Sequence, residues 1–383
     1  MSTVKATNFQ NASSATANMV TDASGNVSFG GTAAMSSSFL RNRIINGDMR
    51  IDQRNAGAEV NPAVSGSYYL DRWLVAASAA SKFKIGQNAG AVTPPTGYTS
   101  YLGCTSLSAY TVGAAETFNV RQQIEGLNVS DLAWGTASAS TVTLSFWVRS
   151  SLTGTFGGSI RNSDATRAYP YSYTISVANT WEQKTITIAG DTSGTWLTTN
   201  GVGINLNFGL GSGATVSGTA GAWASANYTS ATGATSVVGT NGATFYITGV
   251  QLEVGTVATP FERRLYGAEL ALCQRYCASC WSIGTAIGSY VASAAGIVDI
   301  LIPSAAGTGG FLTNIQFPVS MRAAPTVTLY DNANPPAAGK VNKGGNGKTA
   351  TTPNISTSNA VCGTADPTSS SELAFWWSAT AEL

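Results

Sequence analysis

The sequence predicts a mainly β protein: a jelly-roll-like antiparallel β-sandwich, a short connecting helix and a smaller C-terminal β domain. Three observations predict it. Only 10% of the 383 residues are charged, against about 25% in ordinary globular chains, and 42 glycines with abundant Ser, Thr and Ala take their place. Many short runs alternate or are β-branched, each bounded by Gly, Ser, Asn or Asp. A single stretch, Tyr246 to Tyr276, changes its apolar period from that of a strand to that of a helix.

Residues 1–40 are polar, small and Gly-interrupted, with a turn at Asp22 to Asn26 before Val27 and Phe29. They hold too little apolar surface for a core of their own, which marks them as an arm or attachment segment. Arg41 to Arg54 (RNRIINGDMRIDQR) concentrates charge around the turn signal Asn46-Gly47 and opens a sandwich domain spanning 41–264. Its strand candidates are Thr117 to Ile124, Thr141 to Arg149, Tyr171 to Val177, Trp181 to Ala189 and Val202 to Leu210, after an aromatic run at Tyr68 to Trp73. Gly211 to Asn241 reads as loop. Asp71-Arg72 reads as a turn or a structural ion pair.

Tyr246 to Val254 alternates as a buried strand and stops at Thr259-Pro260, because proline lacks an amide donor and biases its predecessor to extended geometry. Tyr266, Leu270, Cys273 and Cys277 then share one helical face, predicting a helix to about Ala278 within a connector spanning 265–280. The C-terminal domain, 281–383, has a buried-strand candidate at Ile300-Leu301-Ile302, an alternating run at Phe311 to Phe317 and a strand at Thr326 to Tyr330. Asp331 to about Ser358 reads as a loop whose lysines, Gly339 to Lys348, are solvated, and Phe375-Trp376-Trp377 reads as a final core strand.

With 20 basic and 19 acidic residues the net charge is +1, so no long-range field favours nucleic acid or an anionic membrane. Neither a signal-peptide pattern nor a membrane-length apolar run is present; the chain reads as made in the cytoplasm, with no membrane insertion. The odd set Cys104, Cys273, Cys277, Cys280 and Cys362 gives no disulfide framework, and the absence of histidine leaves Cys277 and Cys280 without zinc partners. No cofactor or metal is implied, and buried thiols are expected. Ser-His-Asp and Cys-His chemistry is excluded for the same reason. A carboxylate pair for glycoside hydrolysis stays open among Asp48, Asp52, Asp71, Glu116, Glu125 and Asp164, although nothing in the sequence pairs them.

Sugar binding needs aromatic faces beside neutral hydrogen-bonding groups. Trp223 and Tyr228, in a polar Gly-rich loop, are the first candidates, with Trp134 and Trp196 behind them; each can equally be packing. Trp147, inside an alternating strand, is expected in the core.

The runs RNRIINGDMRIDQRN and YYLDRW, the strand TLSFWVRSSLTGTFGGSIRN and above all GVQLEVGTVATPFERRLYGAELALCQRY resemble a domain of tailed-phage tail fibres and receptor-binding proteins. FPVSMRAAPTVTLYDN and the terminal LAFWWSATAEL are similar to the small β domain that often follows it. The resemblance covers about 41–383 and implies a carbohydrate-binding-module-like sandwich in a homotrimeric virion component. On this reading the chain is a non-enzymatic tail fibre or adhesin subunit that contacts other phage tail proteins and a host-surface glycan or protein. The alternatives are a glycan-depolymerising tailspike and a purely architectural connector. The isolated charges Glu262, Arg263 and Arg264 are then candidates for intersubunit or interdomain pairing.

Overall fold

The computed structural model describes residues 8–9, 19–21, 27–28, 41–63, 66–301, 311–366 and 372–383. Compact contacts divide the chain into two units, Met1–Arg41 and Asn42–Leu383. In the first, β1 (Asn8–Phe9), β2 (Met19–Thr21) and β3 (Val27–Ser28) form an antiparallel three-stranded sheet; the remainder of the expected arm lies outside the described residues.

The second unit begins with the sandwich. Its strands are β4 (Ser67–Leu70), β5 (Trp73–Ala77), β6 (Phe83–Gln87), β7 (Leu102–Ser106), β8 (Thr117–Glu125), β9 (Val142–Ser150), β10 (Gly154–Arg161), β11 (Ala168–Ile175), β12 (Glu182–Ile188), β13 (Val202–Ser212), β14 (Ser217–Gly218), β15 (Ser230–Ala231) and β16 (Thr244–Val254). One sheet runs β11-β10-β13-β8-β5-β4 and the other β12-β9-β16-β7-β6. Both are antiparallel in every pairing, and the two pack face to face as a jelly-roll-like sandwich. Alternation places Phe118, Val120 and Ile124, Ile204, Leu206 and Phe208, and Val142, Leu144, Phe146 and Val148 in one core.

The five long strand candidates are all strands, with ends shifted by a few residues. The same alternation corrects one side chain: since Phe146 and Val148 point inward, Trp147 lies on the outer face, half-buried, and is not core. Asp71-Arg72 is a turn, with Arg72 at φ 67°, but not an ion pair. Asp71 accepts from the Gln53 amide and from Gln53 Nε2, both at 2.7 Å, while Arg72 reaches Glu382.

β16 is buried on both faces between β9 and β7. A bulge at Thr248–Gln251, made possible by Gly249 at φ 61°, opens it to residues 42–47, with Arg43 N bonding Leu252 O and Val250 N bonding Gly47 O. A side chain at 249 would also meet the Tyr98 hydroxyl at 2.6 Å. The charged run 41–54 is therefore a buried strap: Asn46 Nδ2 donates to Ile51 O and Asp71 O, and Gln122 holds Ile45 N and O at 2.9 Å each.

The helix α1 (Tyr266–Gln274) is shorter than its periodicity suggests. Cys277 leaves the helical face for β17 (Cys277–Ser279), which pairs with the last strand; tertiary pairing outweighs local spacing there. The following strands are β18 (Val298–Leu301), β19 (Phe311–Gln316), β20 (Thr326–Tyr330), β21 (Lys340–Lys343), β22 (Asn346–Thr349), β23 (Thr351–Ile355), β24 (Asn359–Thr364) and β25 (Glu372–Thr380). β25 carries Phe375, Trp376 and Trp377 into the core and pairs with β17, β18, β20 and β21; β19-β24-β23 form a second sheet.

Two expectations change here. The segment 331–358 is not loop: Gly344 and Gly345, at φ 59° and 79°, turn a β21–β22 hairpin, and Lys343 is buried with Nζ 2.6 Å from Asp366 O. Ile300 and Leu301 belong to β18, whose pairing runs to β25 alone among the described residues, so Leu301 is 82% exposed instead of buried. Ile302 lies outside the described residues. All five cysteines are free, four of them buried and Cys280 intermediate, and burial raises the thiol pKa of each.

The sandwich and the C-terminal lobe are joined by ionic contacts and by a small core of Ile45, Ile51, Cys273 and Tyr276. Glu382 pairs with Arg54 at 2.5 Å and with Arg72, whose guanidinium also lies 3.5 Å from the Tyr276 ring centre. Glu125 accepts from Arg275 at 2.7 Å and from the Tyr276 hydroxyl at 2.6 Å. The lobes meet at these groups, and Glu262 and Arg264 join the strap to the start of α1. Glu262 accepts from Asn42 N, Arg264 bonds Ile44 O and pairs with Glu269 at 3.3 Å, and Arg263 stacks 4.6 Å from the Tyr98 ring centre.

Candidate functional site: a polar bed on the six-stranded sheet

The outer face of the β11-β10-β13-β8-β5-β4 sheet holds an ordered set of hydrogen-bonding side chains. Period-two alternation in β8, β13 and β10 turns the apolar residues inward, and Asn119, Arg121, Gln123, Asn205, Asn207, Ser159 and Arg161 outward. Register then aligns them. Arg121 stands opposite Asn207 and Asn207 opposite Ser159; one row on, Gln123 stands opposite Asn205 and Asn205 opposite Arg161.

The groups position one another. Arg121 Nε donates to Asn207 Oδ1 at 2.6 Å, and Asn207 Nδ2 donates to Ser159 Oγ at 3.0 Å. Gln123 Nε2 donates to Asn205 Oδ1 at 3.1 Å, and the Tyr68 hydroxyl donates to Gln123 Oε1 at 2.9 Å. Asn205 and Asn207 are buried, and they hold the half-exposed Gln123 and Arg121 in one orientation, as recognition of a ligand's hydroxyls requires. Segment 227–231 folds over one side: Arg161 Nη1 bonds Asn227 Oδ1, and Ser230 lies on Gly157 and Gly209, where an added Cβ would come within 2.7 and 2.8 Å of its Oγ. The sheet accepts this roof because those two positions carry no side chain.

Two buried atoms in the bed have no partner among the described residues: Asn119 Oδ1 and Arg161 Nε. Burial together with the nearby Arg161 charge lowers the Arg121 pKa to about 10, and burial lowers that of Arg161.

The aromatic candidates occupy other places. Trp134, Trp196 and Trp223 do come together, with ring centres 4.7 to 5.4 Å apart and edges against faces, and Tyr169 joins Trp223 at 5.2 Å. Each indole N–H donates to a carbonyl of the chain, Ser140, Ser193 and Ala189 respectively. The crevice beside Trp134 and Trp196 measures about 10 Å³, room for a water and not for a sugar. The cluster packs against the edge of the sandwich core. Tyr228 is half-buried, its ring seated where a Cβ on Gly218 would lie 2.2 Å away, next in the chain to Asn227 of the bed.

The signal that could have found the bed was in the sequence: amide, hydroxyl and guanidinium groups at alternate positions of TFNVRQQI, VGINLNFGL and GTFGGSIR. Sequence reasoning followed the apolar half of that alternation and looked for aromatic rings.

The carboxylates weighed for hydrolysis are spread through the fold. Asp48 pairs with Arg50 at 2.5 Å, Asp52 caps the turn at Arg54 to Gly57, and Asp71 holds Gln53. Glu116 holds Gly113 N and Tyr110, Glu125 holds Arg275, and Asp164 bonds Ser163 on the surface. No cluster of three or more Cys, Asp or Glu suited to a metal ion occurs among the described residues, and none of their helices is long and apolar enough to cross a membrane.

No protein-family model matches the sequence, and no curated protein matches it. Solved structures do. The enzymatically active domain of tailspike protein 4 of bacteriophage CBA120 is similar over 56% of this chain and 22% of its own, with 13% identity and a TM-score of 0.32. The family 11 carbohydrate-binding module from Clostridium thermocellum matches 52% of this chain and 98% of its own, at 12% identity and a TM-score of 0.26. The N-terminal cellulose-binding domain of Cellulomonas fimi β-1,4-glucanase C matches 42% and 82%, at 14% and 0.21. This chain spans under a quarter of the tailspike's length. At such scores the description of the fold rests on its own strand order and register.

Proposed function

We propose that this protein is a non-catalytic glycan-binding subunit of a phage tail that takes part in recognising the host surface. The observation that carries glycan binding is the bed itself: Arg121 and Gln123, half-exposed on one strand of the sheet, are held in place by the buried Asn205, Asn207 and Ser159 of the next two strands. Saccharide hydroxyls both donate and accept, and side chains fixed beforehand lose little freedom on binding them. The tail assignment is supported by the resemblance carried by the strap, by β9–β10 and by the segment from β16 through α1. A homotrimeric virion component that binds other tail proteins belongs to the same proposal. The bed presents no free carboxylate, which favours binding over hydrolysis.

The test is binding of the full chain to an array of immobilised bacterial polysaccharides. At least one should be retained, and Gln123→Ala should reduce retention about tenfold while the protein melts like the parent. Retention of none, or retention unaffected by the change, would overturn the reading. Reducing ends appearing in the same incubations would replace binding with depolymerisation.

A further inference from the structure

Building on the glycan-binding reading, we infer that the bed takes an acidic saccharide and seats its carboxylate between the guanidinium groups of Arg121 and Arg161. The full charges at the centre of this face are both positive. Arg121 is half-buried and Arg161 only 8% exposed, and neither makes an ion pair among the described residues. Their protein partners are amides: Asn207 for Arg121 and Asn227 for Arg161. Arg161 Nε has no partner among the described residues, as is also true of Nε in Arg54 and Arg72.

Neighbouring carboxylates are already neutralised. Glu125, at the end of β8 on the same face, is held by Arg275 and Tyr276, and Glu382 is held by Arg54 and Arg72. Tyr68 stands between that second group and the bed, its ring 5.3 and 5.7 Å from the Arg54 and Arg72 guanidinium carbons. Arg121 and Arg161 lie on strands separated only by β13 and opposite residues two apart on it, Asn207 and Asn205, so their Cα atoms are about 12 Å apart. Both side chains can reach over Asn205 and Asn207 toward one anion.

Burying two like charges without a counter-ion costs stability, and the lowered pKa values of both groups express that cost. An anion bound between them removes it. A guanidinium matches a carboxylate with parallel N–H donors, while the half-exposed Gln123 beside them is left for the hydroxyls of the same sugar ring. A neutral glycan would leave the two charges unmatched.

The probes are soluble polygalacturonate, hyaluronate and polysialic acid, each beside its carboxyl-reduced form, with dextran and galactan as neutral controls. The full chain should bind at least one acidic polymer and bind its reduced form at least about tenfold more weakly. Affinity should fall as sodium chloride is raised from 50 to 500 mM. Arg121→Gln and Arg161→Gln should each lose about tenfold or more in affinity with an unchanged or raised melting temperature, and Arg121→Lys should retain part of the binding. Equal binding of native and carboxyl-reduced polymers, or binding of neutral polymers alone, would overturn the acidic ligand while leaving glycan binding intact. Binding of none of the probes, acidic or neutral, would count against both. If the Arg→Gln variants instead change the sedimentation of the chain and leave polymer binding untouched, the charges serve contact between copies and the inference fails.

Discussion

Two pairs of arginines stand on or beside the same sheet, and the fold treats them differently. Arg54 and Arg72, where the lobes meet, share Glu382 and are packed by Tyr68 and Tyr276. Arg121 and Arg161, about two strands into the sheet, bond to amides and pair with no carboxylate among the described residues. The first pair closes a joint: with its counter-ion inside the chain, it has no use for an outside one. The second keeps its charge available. The difference teaches that burial alone does not identify a functional arginine; whether a carboxylate of the chain already neutralises it does.

The comparison can be broken at its strongest point. Glu382→Ala would leave two buried guanidiniums without a counter-ion and is expected to lower stability by about 3–5 kcal/mol, read by urea unfolding. A loss below 1 kcal/mol would mean the joint is not held by this carboxylate.

Asp71 sharpens the same joint. Burial outweighs the help of Arg54 and of the Gln53 bonds, and raises its pKa from 3.8 to about 6. The folded state therefore binds the proton more tightly than the unfolded chain. The stability this contributes is present below about pH 3.8 and lost as pH rises through about 6. Asp71→Asn, which cannot titrate, should gain on the parent by an amount on the order of 3 kcal/mol between pH 3.5 and 7. Parallel stability–pH curves would show that Asp71 keeps an ordinary pKa.

Trp223→Ala removes one edge of the three-indole cluster and is expected to cost about 2 kcal/mol, with polysaccharide binding at the bed preserved. If binding vanished with stability intact, the indole cluster and not the bed would be the sugar site. The smallest effect is expected in the second arginine pair. Arg121→Met should change stability by less than about 1 kcal/mol, toward greater stability, because it removes an uncompensated charge while keeping much of the side-chain stem. A loss of several kcal/mol in thermal or urea unfolding would place Arg121 with the structural pair.

Much of the fold was legible in the sequence because strand patterning is local. Thr117 to Ile124 and Val202 to Leu210 alternate plainly, and each strand in the structure follows that alternation within a few residues. Where the reading failed, a distant partner decided. Cys277 fits the helical spacing of α1, yet Thr380 offers it a strand ladder. Ile300 and Leu301 are apolar enough for a core, yet β18 has no second neighbour among the described residues. Trp147 was misplaced by phase alone, since a pattern of alternation does not say which set of alternating residues faces the core until one residue is fixed.

The site divides in the same way. By itself the sequence determined that the chain would be β-rich, poor in charge and without histidine, and that polar groups would sit at alternate positions of β8, β10 and β13. Only the tertiary structure decided that β13 lies between β8 and β10, which brings Arg121, Asn207 and Ser159 into one row and Gln123, Asn205 and Arg161 into the next. The physical reason is that side-chain direction follows from backbone geometry residue by residue, whereas neighbours across a sheet are chosen by pairing between segments far apart in the chain.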